Sequence, residues 1–214
     1  MKLLVHGMQS SGATAFTLFL AQRPDCVALV DIANRFPAPA VSPSLDMVAK
    51  TVITTAFPLA VHQQRFQPDK TILLLRDPRD NYVSLATKHY RDDSGTMAEK
   101  FVLLDQAFLA RSAVDAVIYY EDFVARSPDV LRTVAGLGWP VSEDYYTYHR
   151  RHEAILADLW THLPQLFTEM DLVFGNVQGR EVTDRKQRKA WDAAVEAQLE
   201  RLCPHLLAHY RARS

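Results

Sequence analysis

The amino-acid sequence predicts an α/β fold in which a parallel β-sheet is flanked by helices on both faces, a three-layer α/β/α arrangement of the P-loop type. Short, continuous apolar runs alternate with segments of helical periodicity. A loop of small residues follows the first apolar run and opens a helical segment. From Glu143 onward the pattern is helical only, which predicts a mainly helical C-terminal part.

Five apolar runs have the length and the uninterrupted hydrophobicity of buried parallel strands. They are Leu3–His6, Val27–Asp31, Met47–Ile53, Thr71–Leu75 and Ala116–Tyr120. Segments of helical periodicity predict helices at Ala13–Gln22, Pro58–Phe66, Asn81–Tyr90, Ala98–Ser112 and Pro128–Leu137. Sheets of this kind bind ligands at the carboxyl ends of their strands, so the loops after the apolar runs are the candidate site.

The C-terminal part carries two apolar stripes at helical spacing. The first consists of Tyr148, His152, Ile155, Leu159 and Leu163, and the second of Trp191, Val195, Leu199, Leu202, Leu206 and Tyr210. Pro204 interrupts the second stripe and predicts a kink or a break. Residues 174–188 begin without periodicity and are interpreted as a loop followed by the start of a helix. We expect a single domain over residues 1–214, with an α/β core in 1–125 and the helical part in 143–214.

Composition argues against several classes of protein. The 214-residue chain has a formal net charge of −1, which gives no overall electrostatic case for binding nucleic acid or an acidic membrane. Cys26 and Cys203 are its two cysteines, too few for a disulfide framework or a cysteine metal cluster, and they fit a reducing compartment. No apolar run has the length of a membrane span, and no secretory signal opens the chain. We expect a cytoplasmic protein, and its oligomeric state is left open.

The loop after the first apolar run has the spacing of a phosphate-binding loop, Gly7-x4-Gly12-Ala13-Thr14. Small residues let backbone N–H groups converge on an anion, and the helix N-terminus adds a favourable dipole. Ala13 stands where ATP- and GTP-binding loops carry lysine, which argues against ordinary triphosphate chemistry. The predicted anion-binding residues are Gln9, Ser10, Ser11, Gly12, Ala13 and Thr14. A plain strand-to-helix turn with a serine or threonine cap is the alternative.

A second constellation follows the fourth apolar run, in residues 76–80, with the sequence Arg-Asp-Pro-Arg-Asp. Arg76 ends the run, Pro78 favours a first helical turn, and Asp80 or Asn81 is the predicted cap. Ser84 lies one turn into the predicted helix. An arginine fork beside a hydroxyl suits a second, separate phosphate. In the alternative interpretation Arg76 pairs with Asp80 and Ser84 is a surface residue.

Together, these residues resemble the sulfotransferases that use 3′-phosphoadenosine 5′-phosphosulfate (PAPS). The second fingerprint of that family is an arginine, often followed by Asp-Pro-Arg-Asp, with a serine eight residues after it, as in Arg76 and Ser84. The first fingerprint, Pro-Lys/Arg-Ser-Gly-Thr-Thr, corresponds to residues 9–14. The family also carries a strand ending in Tyr-Glu-Asp, here residues 120–122, and a Gly/basic loop, here Gly179-Arg180.

The resemblance implies a sulfotransferase-like fold with residues 1–125 as a nucleotide-binding core. It implies that PAPS is the sulfuryl donor, that adenosine 3′,5′-bisphosphate (PAP) is the product, and that no metal is required. Residues 10–14 would hold the 5′-phosphosulfate, Arg76 and Ser84 the 3′-phosphate, and Gly179 and Arg180 would close over that phosphate. The acceptor would be a hydroxyl or amine of a small molecule or carbohydrate.

The chain departs from the family pattern at two positions. Ser10 stands where the family carries its loop lysine or arginine, and Lys50 is the candidate for the compensating cation. Val52 stands where cytosolic members carry histidine, so Asp31 is the candidate general base. The predicted catalytic residues are therefore Asp31, Lys50 and Ser10. His62 and His89 are alternatives for the base, each with a more ordinary structural or surface interpretation.

Two other functions compete with this interpretation. A P-loop nucleotide kinase or NTPase would use Asp31 or Asp77, with Thr14, to hold Mg²⁺, but Ala13 removes its lysine. A catalytically degenerate nucleotide-binding protein would keep both phosphate sites, and Ser10 is the residue that favours it.

Overall fold

A computed structural model describes residues 1–172, 181–183 and 190–213 of the chain. Its centre is a sheet of five parallel strands in the order β2-β3-β1-β4-β5. The strands are β1 (Lys2–Gly7), β2 (Cys26–Leu29), β3 (Asp46–Val52), β4 (Lys70–Leu75) and β5 (Ala116–Tyr119). Each strand lies at a predicted apolar run, and the predicted parallel α/β class is confirmed. β2 ends at Leu29, so Asp31 belongs to the following loop.

The strand order reverses at β1, which pairs with β3 on one side and with β4 on the other. The chain completes β2 and β3 before it crosses to β4 and β5 on the far side of β1. The loops after β1, β3 and β4 therefore meet at the carboxyl edge of the sheet, where parallel α/β folds bind their ligands. The two predicted phosphate-binding segments share this edge, because one follows β1 and the other follows β4.

The helices of the described residues are mostly those that the periodicity predicts. They are α1 (Ala13–Leu20), α2 (Leu59–Phe66), α3 (Pro78–Ala86), α4 (Met97–Leu109), α5 (Tyr120–Val124), α6 (Pro128–Gly136), α7 (His152–His162), α8 (Leu166–Glu169), α9 (Ala193–Leu202) and α10 (Pro204–Arg213). Short 3₁₀ turns lie at Arg111–Ala113 and Glu143–Tyr146. α3 begins and ends earlier than predicted, and the short α5 was not predicted because it continues directly from β5.

Both faces of the sheet are covered, as the three-layer prediction requires. One face packs against α1, α5 and α6 through a cluster of large aromatic side chains: Phe16, Phe19, Phe123, Trp139 and Tyr146. The opposite face is covered beside β4 by α4, α9 and α10, and beside β2 by α2, α7 and α8. Strands buried on both faces need continuous apolar runs, which explains why these runs were easy to recognise.

The second C-terminal stripe breaks where Pro204 predicts a break. α9 ends at Leu202 and α10 begins at Pro204. The Asp105 carboxylate on α4 accepts the backbone N–H groups of His205 and Leu206, at 3.0 and 2.9 Å. This contact caps the new N-terminus with a negative charge and holds α10 against α4. Within the described ranges, no helix is both long enough and apolar enough to cross a membrane.

Candidate functional site

The loop between β1 and α1 has the backbone conformation of an anion-binding turn. Gly12 precedes α1 with a φ of 93°, in the left-handed region that favours glycine. A Cβ atom at Gly12 would lie 2.3 Å from the Tyr120 ring, so a side chain would clash there. Among the described residues, no side chain caps the N-terminus of α1. The first N–H groups of α1 are thus available to an anion.

Three buried donors hold this loop from neighbouring elements. Arg76 Nη1 donates to the carbonyl oxygen of Ser10 at 3.0 Å, and Asn81 Nδ2 donates to that of Gln9 at 2.7 Å. Lys100 Nζ, on α4, donates to Gln9 Oε1 at 2.7 Å. The two backbone contacts orient the loop carbonyl groups toward β4 and α3. Residues of the β4–α3 segment and of α4 therefore help to hold the loop, in addition to its own hydrogen bond between the Ser11 N–H and the Met8 carbonyl oxygen.

The hydroxyl groups of Ser10 and Ser11 are buried, and neither has a hydrogen-bond partner within the described part of the chain. A buried hydroxyl without a partner destabilises a fold unless a ligand or a water molecule satisfies it. Two such hydroxyls beside a helix N-terminus suit the oxygen atoms of a phosphate or sulfate group. The geometry of the loop therefore fits the predicted anion site.

Lys50, Asp31 and Thr14 form a cluster beside the first turn of α1. Lys50 Nζ lies 2.5 Å from Asp31 Oδ1 and 3.0 Å from Thr14 Oγ1, and Thr14 donates to Asp31 Oδ2 at 3.3 Å. The Lys50 side chain is 7% exposed and that of Asp31 is 16% exposed. The structure thus brings two predicted catalytic residues into direct contact at the predicted loop. Asp31 also partly neutralises the cation that was expected to replace the missing loop lysine.

The Arg76 segment is built as a strand, a turn and a helix. Arg76 directly follows β4, and its guanidinium lies 4.6 Å from the centroid of the Tyr120 ring. Ser84 lies inside α3 and is half-buried. The two residues thus occupy the predicted elements at the predicted spacing. Gly179 and Arg180, the predicted closing loop, lie outside the described residues.

The prediction that Asp80 or Asn81 caps α3 is wrong. Asp77 is the cap, since its carboxylate accepts the backbone N–H of Arg79 at 2.9 Å and also pairs with the Arg79 guanidinium at 2.7 Å. Pro78 occupies the first helical position, which it favours because it has no N–H to leave unsatisfied. The helix therefore begins earlier, and Asp80 and Asn81 are buried in its first turn.

Tyr120 and Glu121 link the two segments. The Tyr120 ring contacts Arg76 and fills the space beside Gly12. Glu121 accepts the backbone N–H of Asp77 at 2.9 Å and the hydroxyl of Tyr210 at 2.8 Å. Burial raises the pKa of Glu121. The Tyr-Glu-Asp sequence, which the resemblance identified without a role, thus anchors the Arg76 turn to α10.

The structure also shows two contributors that the sequence analysis missed, Asn81 as a loop anchor and Lys100. Lys100 is fully buried, at the position one turn before Leu104 on the apolar face of α4. A lysine on an apolar helical stripe was the available signal for its role. Asn81 carried no comparable signal, because the loop it binds is distant in sequence.

The histidines proposed as alternative bases lie in ordinary environments. Nδ1 of His62 accepts the backbone N–H of Ala38 at 3.0 Å, and burial lowers its pKa to about 4. His89 is exposed near the end of α3. His6, which was not proposed, contacts Thr51 Oγ1 at 2.9 Å, and burial lowers its pKa to about 3. Both buried rings are therefore neutral at physiological pH.

A cleft of about 790 Å³ lies between α2 and α4, with His6 and Leu73 of the sheet in its lining. Its lining is largely apolar and includes Phe57, Leu59, Val102 and Leu103. Ile53 and Thr54 also line it. The backbone N–H of Ile53 donates to Gly7 at 3.0 Å, so this end of the cleft adjoins the start of the phosphate loop. A volume of this size is typical of small-molecule sites.

Comparison with solved structures finds the same architecture. A mouse sulfotransferase, SULT7A1, complexed with PAP, matches with a TM-score of 0.50 and 14% identity over 94% of this chain and 82% of its own. Retinol dehydratase complexed with retinol and PAP matches with a TM-score of 0.50 and 14% identity over 96% and 81%. No family model and no curated protein sequence matches the chain.

The matched regions span nearly the whole chain. At 14% identity the likeness concerns the fold and not the chemistry. The fold of this chain is that of the sulfotransferases.

Proposed function

We propose that the protein is a sulfotransferase that moves a sulfuryl group from PAPS to a hydroxyl or amine of a small-molecule or carbohydrate acceptor. One observation carries the proposal: two segments suited to bind an anion follow the neighbouring strands β1 and β4, where the strand order of the sheet reverses. One is a loop with two buried hydroxyls, Ser10 and Ser11, that have no hydrogen-bond partner among the described residues. The other places Arg76 and Ser84 after the adjacent strand. Two separate sites suit a nucleotide with phosphates at both ends.

The β1–α1 loop, residues 9–14, would hold the 5′-phosphosulfate. Its N–H groups and the α1 dipole stabilise the charge that develops on the leaving phosphate oxygen. The acceptor atom forms a bond to sulfur while the bond between sulfur and the 5′-phosphate oxygen breaks. The electron pair leaves with PAP, and the acceptor proton passes to a base. Positioning and charge stabilisation supply most of the rate in such transfers.

Lys50 and Asp31 are the residues we propose for charge stabilisation and for proton removal. Lys50 lies within 3.0 Å of Thr14 at the start of α1, which places its ammonium beside the loop. Asp31 Oδ1 accepts from Lys50, and its other oxygen contacts Thr14. The contacts with Lys50 and Thr14 fix the orientation of the Asp31 carboxylate, and a general base must be positioned for the proton that it removes. Ser10 would add a hydrogen bond to the transferred group.

Arg76 and Ser84 would bind the 3′-phosphate, with Gly179 and Arg180 as the proposed closing residues. The Arg76 guanidinium is preoriented, because it donates to Ser10 and stacks over Tyr120. Preorientation lowers the entropy that phosphate binding would otherwise cost. The apolar cleft beside Ile53 favours an acceptor with an apolar body whose reactive group reaches the sheet edge.

A nucleotide-binding protein without transfer activity is the second candidate, and Ser10 favours it because serine carries no charge. The kinase or NTPase alternative is disfavoured by Thr14. In that alternative Thr14 Oγ1 would help to hold Mg²⁺, but here the Lys50 ammonium lies 3.0 Å from it.

Two measurements on the wild-type protein test the proposal. Calorimetry should show tighter binding of PAP than of ADP or ATP, with or without Mg²⁺, because each charge-assisted contact to the 3′-phosphate contributes roughly 1.5–3 kcal/mol. Tighter binding of ATP with Mg²⁺ would reject the sulfotransferase. A transfer assay with ³⁵S-labelled PAPS and an acceptor panel then separates the enzyme from the inactive binder.

A further inference from the structure

Lys100 is a buried cation beside the β1–α1 loop, and the groups that accept its hydrogen bonds among the described residues are neutral. Its side chain is fully buried on α4, and Nζ donates to Gln9 Oε1 at 2.7 Å and to the carbonyl oxygen of Arg91 at 2.8 Å. Buried ammonium groups are normally matched by a carboxylate. Lys50, for comparison, lies 2.5 Å from Asp31. The charge of Lys100 is therefore less compensated than that of Lys50.

The acidic groups around Lys100 lie at the start of its own helix and in the loop before it. Burial lowers the pKa of the Lys100 ammonium, and the charges of Asp92, Asp93 and Glu99 oppose this effect only in part. Glu99 is committed to capping α4, since its carboxylate accepts the backbone N–H of Thr96 at 2.8 Å. Asp92 accepts the backbone N–H of Met97 at 3.2 Å. These contacts direct the carboxylates of Glu99 and Asp92 to helix capping rather than to the ammonium.

The contact with Lys100 also fixes the orientation of the Gln9 amide. Lysine only donates hydrogen bonds, so the atom that faces Nζ must be the amide oxygen. The Gln9 NH₂ group consequently points away from the ammonium. Its N–H groups are more strongly polarised because the oxygen accepts from a cation. Gln9 lies between Met8, whose backbone oxygen accepts the N–H of Ser11, and Ser10, whose hydroxyl is buried.

We propose that Lys100 is a positioning residue for the 5′-phosphosulfate, and that its buried charge, acting through Gln9, supplies the electrostatic attraction that Ser10 does not provide. This inference rests on the proposed function and refines its donor site. Lys50 stays the candidate that faces the transferred group, whereas Lys100 acts from behind the loop. Binding of an anion in the loop would then compensate the buried ammonium.

The test compares wild-type protein with Lys100→Met in calorimetric titrations against three ligands: PAP, AMP and adenosine 3′-phosphate. We expect Lys100→Met to weaken the binding of PAP and AMP by about tenfold, because Coulomb attraction at these distances is strong in a buried setting. Binding of adenosine 3′-phosphate should change less than about twofold, since it lacks the 5′-phosphate. Lys70→Met is the matched control, because Lys70 opens β4 at the opposite edge of the sheet.

Two further measurements keep the inference testable if Lys100→Met does not fold. The double variant Lys100→Met with Gln9→Met replaces the buried polar pair by apolar side chains, and it should show the same selective loss. Independently, the Lys100 ammonium of the wild-type protein can be followed by NMR of its ¹³Cε. Its pKa should rise when PAP or AMP binds and should not change with adenosine 3′-phosphate.

The outcomes separate the inference from the proposed function. Equal loss of all three ligands, or PAP binding within twofold of wild type, would reject the role of Lys100 while leaving the function intact. An unchanged Lys100 pKa on PAP binding would also reject it. Wild-type protein that prefers ATP to PAP would reject the function itself, and a Lys100 effect on AMP would then still identify the cation of the loop.

Discussion

The two proposed anion-binding segments, the β1–α1 loop and the Arg76 segment, differ in where their positive charge originates. The Arg76 segment carries its cation within its own motif, next to the strand end, and its neighbours Asp77, Tyr120 and Glu121 hold that turn. The β1–α1 loop contains no cation between Gly7 and Thr14. The lysines that approach it come from β3 and α4. The proposed phosphate loop thus has the backbone geometry of such a site, while the positive charges near it come from distant parts of the sequence.

The β1–α1 loop depends most on its backbone geometry at Gly12, where φ lies in the left-handed region and the Tyr120 ring leaves no room for a side chain. Gly12→Ala should lower the free energy of unfolding by about 2–4 kcal/mol, because the left-handed φ and the contact with Tyr120 both oppose a Cβ. PAP affinity should fall by about 100-fold or more, since the convergence of N–H groups is lost. Urea denaturation and calorimetry measure the two effects.

Gly136→Ala is the control for this substitution. A Cβ at Gly136 meets nothing within 4 Å, and we expect a change of less than about 0.5 kcal/mol. If Gly12→Ala binds PAP as the wild type does, the loop is a structural turn and the comparison between the two segments loses its basis.

Arg76→Ala tests whether the second segment binds the 3′-phosphate. We expect PAP affinity to fall about 30-fold, because a charged fork is removed from a phosphate. AMP affinity should fall only a few-fold, through the lost contact with the Ser10 carbonyl. Ser84→Ala should act in the same direction with a smaller effect, because it removes a single hydroxyl. Arg65→Ala, at an exposed position on α2, controls for the change in net charge.

Equal losses for PAP and AMP in a folded Arg76→Ala protein would show that Arg76 only supports the loop. The two segments would then form one anion site instead of two.

The fold was predictable from the sequence because strands buried on both faces leave continuous apolar runs, and all five runs became strands. The second segment was predictable because its residues are neighbours in sequence. Lys50 and Asp31 were each predicted as candidate catalytic residues from their positions near strand ends, but their direct contact was not predicted. The roles of Asn81, Lys100 and Tyr210 could not be predicted from the sequence. Their contacts join residues that are 72, 91 and 89 positions apart, and only the packing of the folded chain brings them together.

Lys50→Met tests whether a cation from β3 replaces the one that the loop lacks. The sulfuryl transfer rate should fall about 100-fold while PAP affinity changes less, because the charge on the leaving oxygen develops in the transition state. Ser10→Lys should restore part of the rate in the Lys50→Met protein by returning a cation to the loop. Single-turnover assays with labelled PAPS measure both. Robust transfer by Lys50→Met alone would place the stabilising charge elsewhere.

The smallest expected effect concerns the link between the segments, Glu121. Burial raises its folded-state pKa above the ordinary value of 4.5, so the folded protein retains this proton to a higher pH than the unfolded chain does. Through this group, stability therefore falls as pH rises from the unfolded pKa through the folded one. Glu121→Gln should remove that pH dependence. It should lower stability at neutral pH by no more than about 1 kcal/mol, because the amide oxygen can accept the Asp77 N–H and the NH₂ group can donate to the Tyr210 oxygen.

Urea denaturation of both proteins at a series of pH values, from the ordinary carboxyl pKa up to neutral pH, measures the difference. Tyr210→Phe is the matched variant, since it removes one donor and leaves the carboxylate in place. Its PAP affinity should stay within about threefold of wild type, because Asp77 still binds Glu121 and keeps the Arg76 turn. A much larger loss of PAP binding in Tyr210→Phe would mean that α10 positions Arg76 directly. The Arg76 segment would then depend on a distant part of the sequence, as the β1–α1 loop does, and the two segments would no longer differ in this respect.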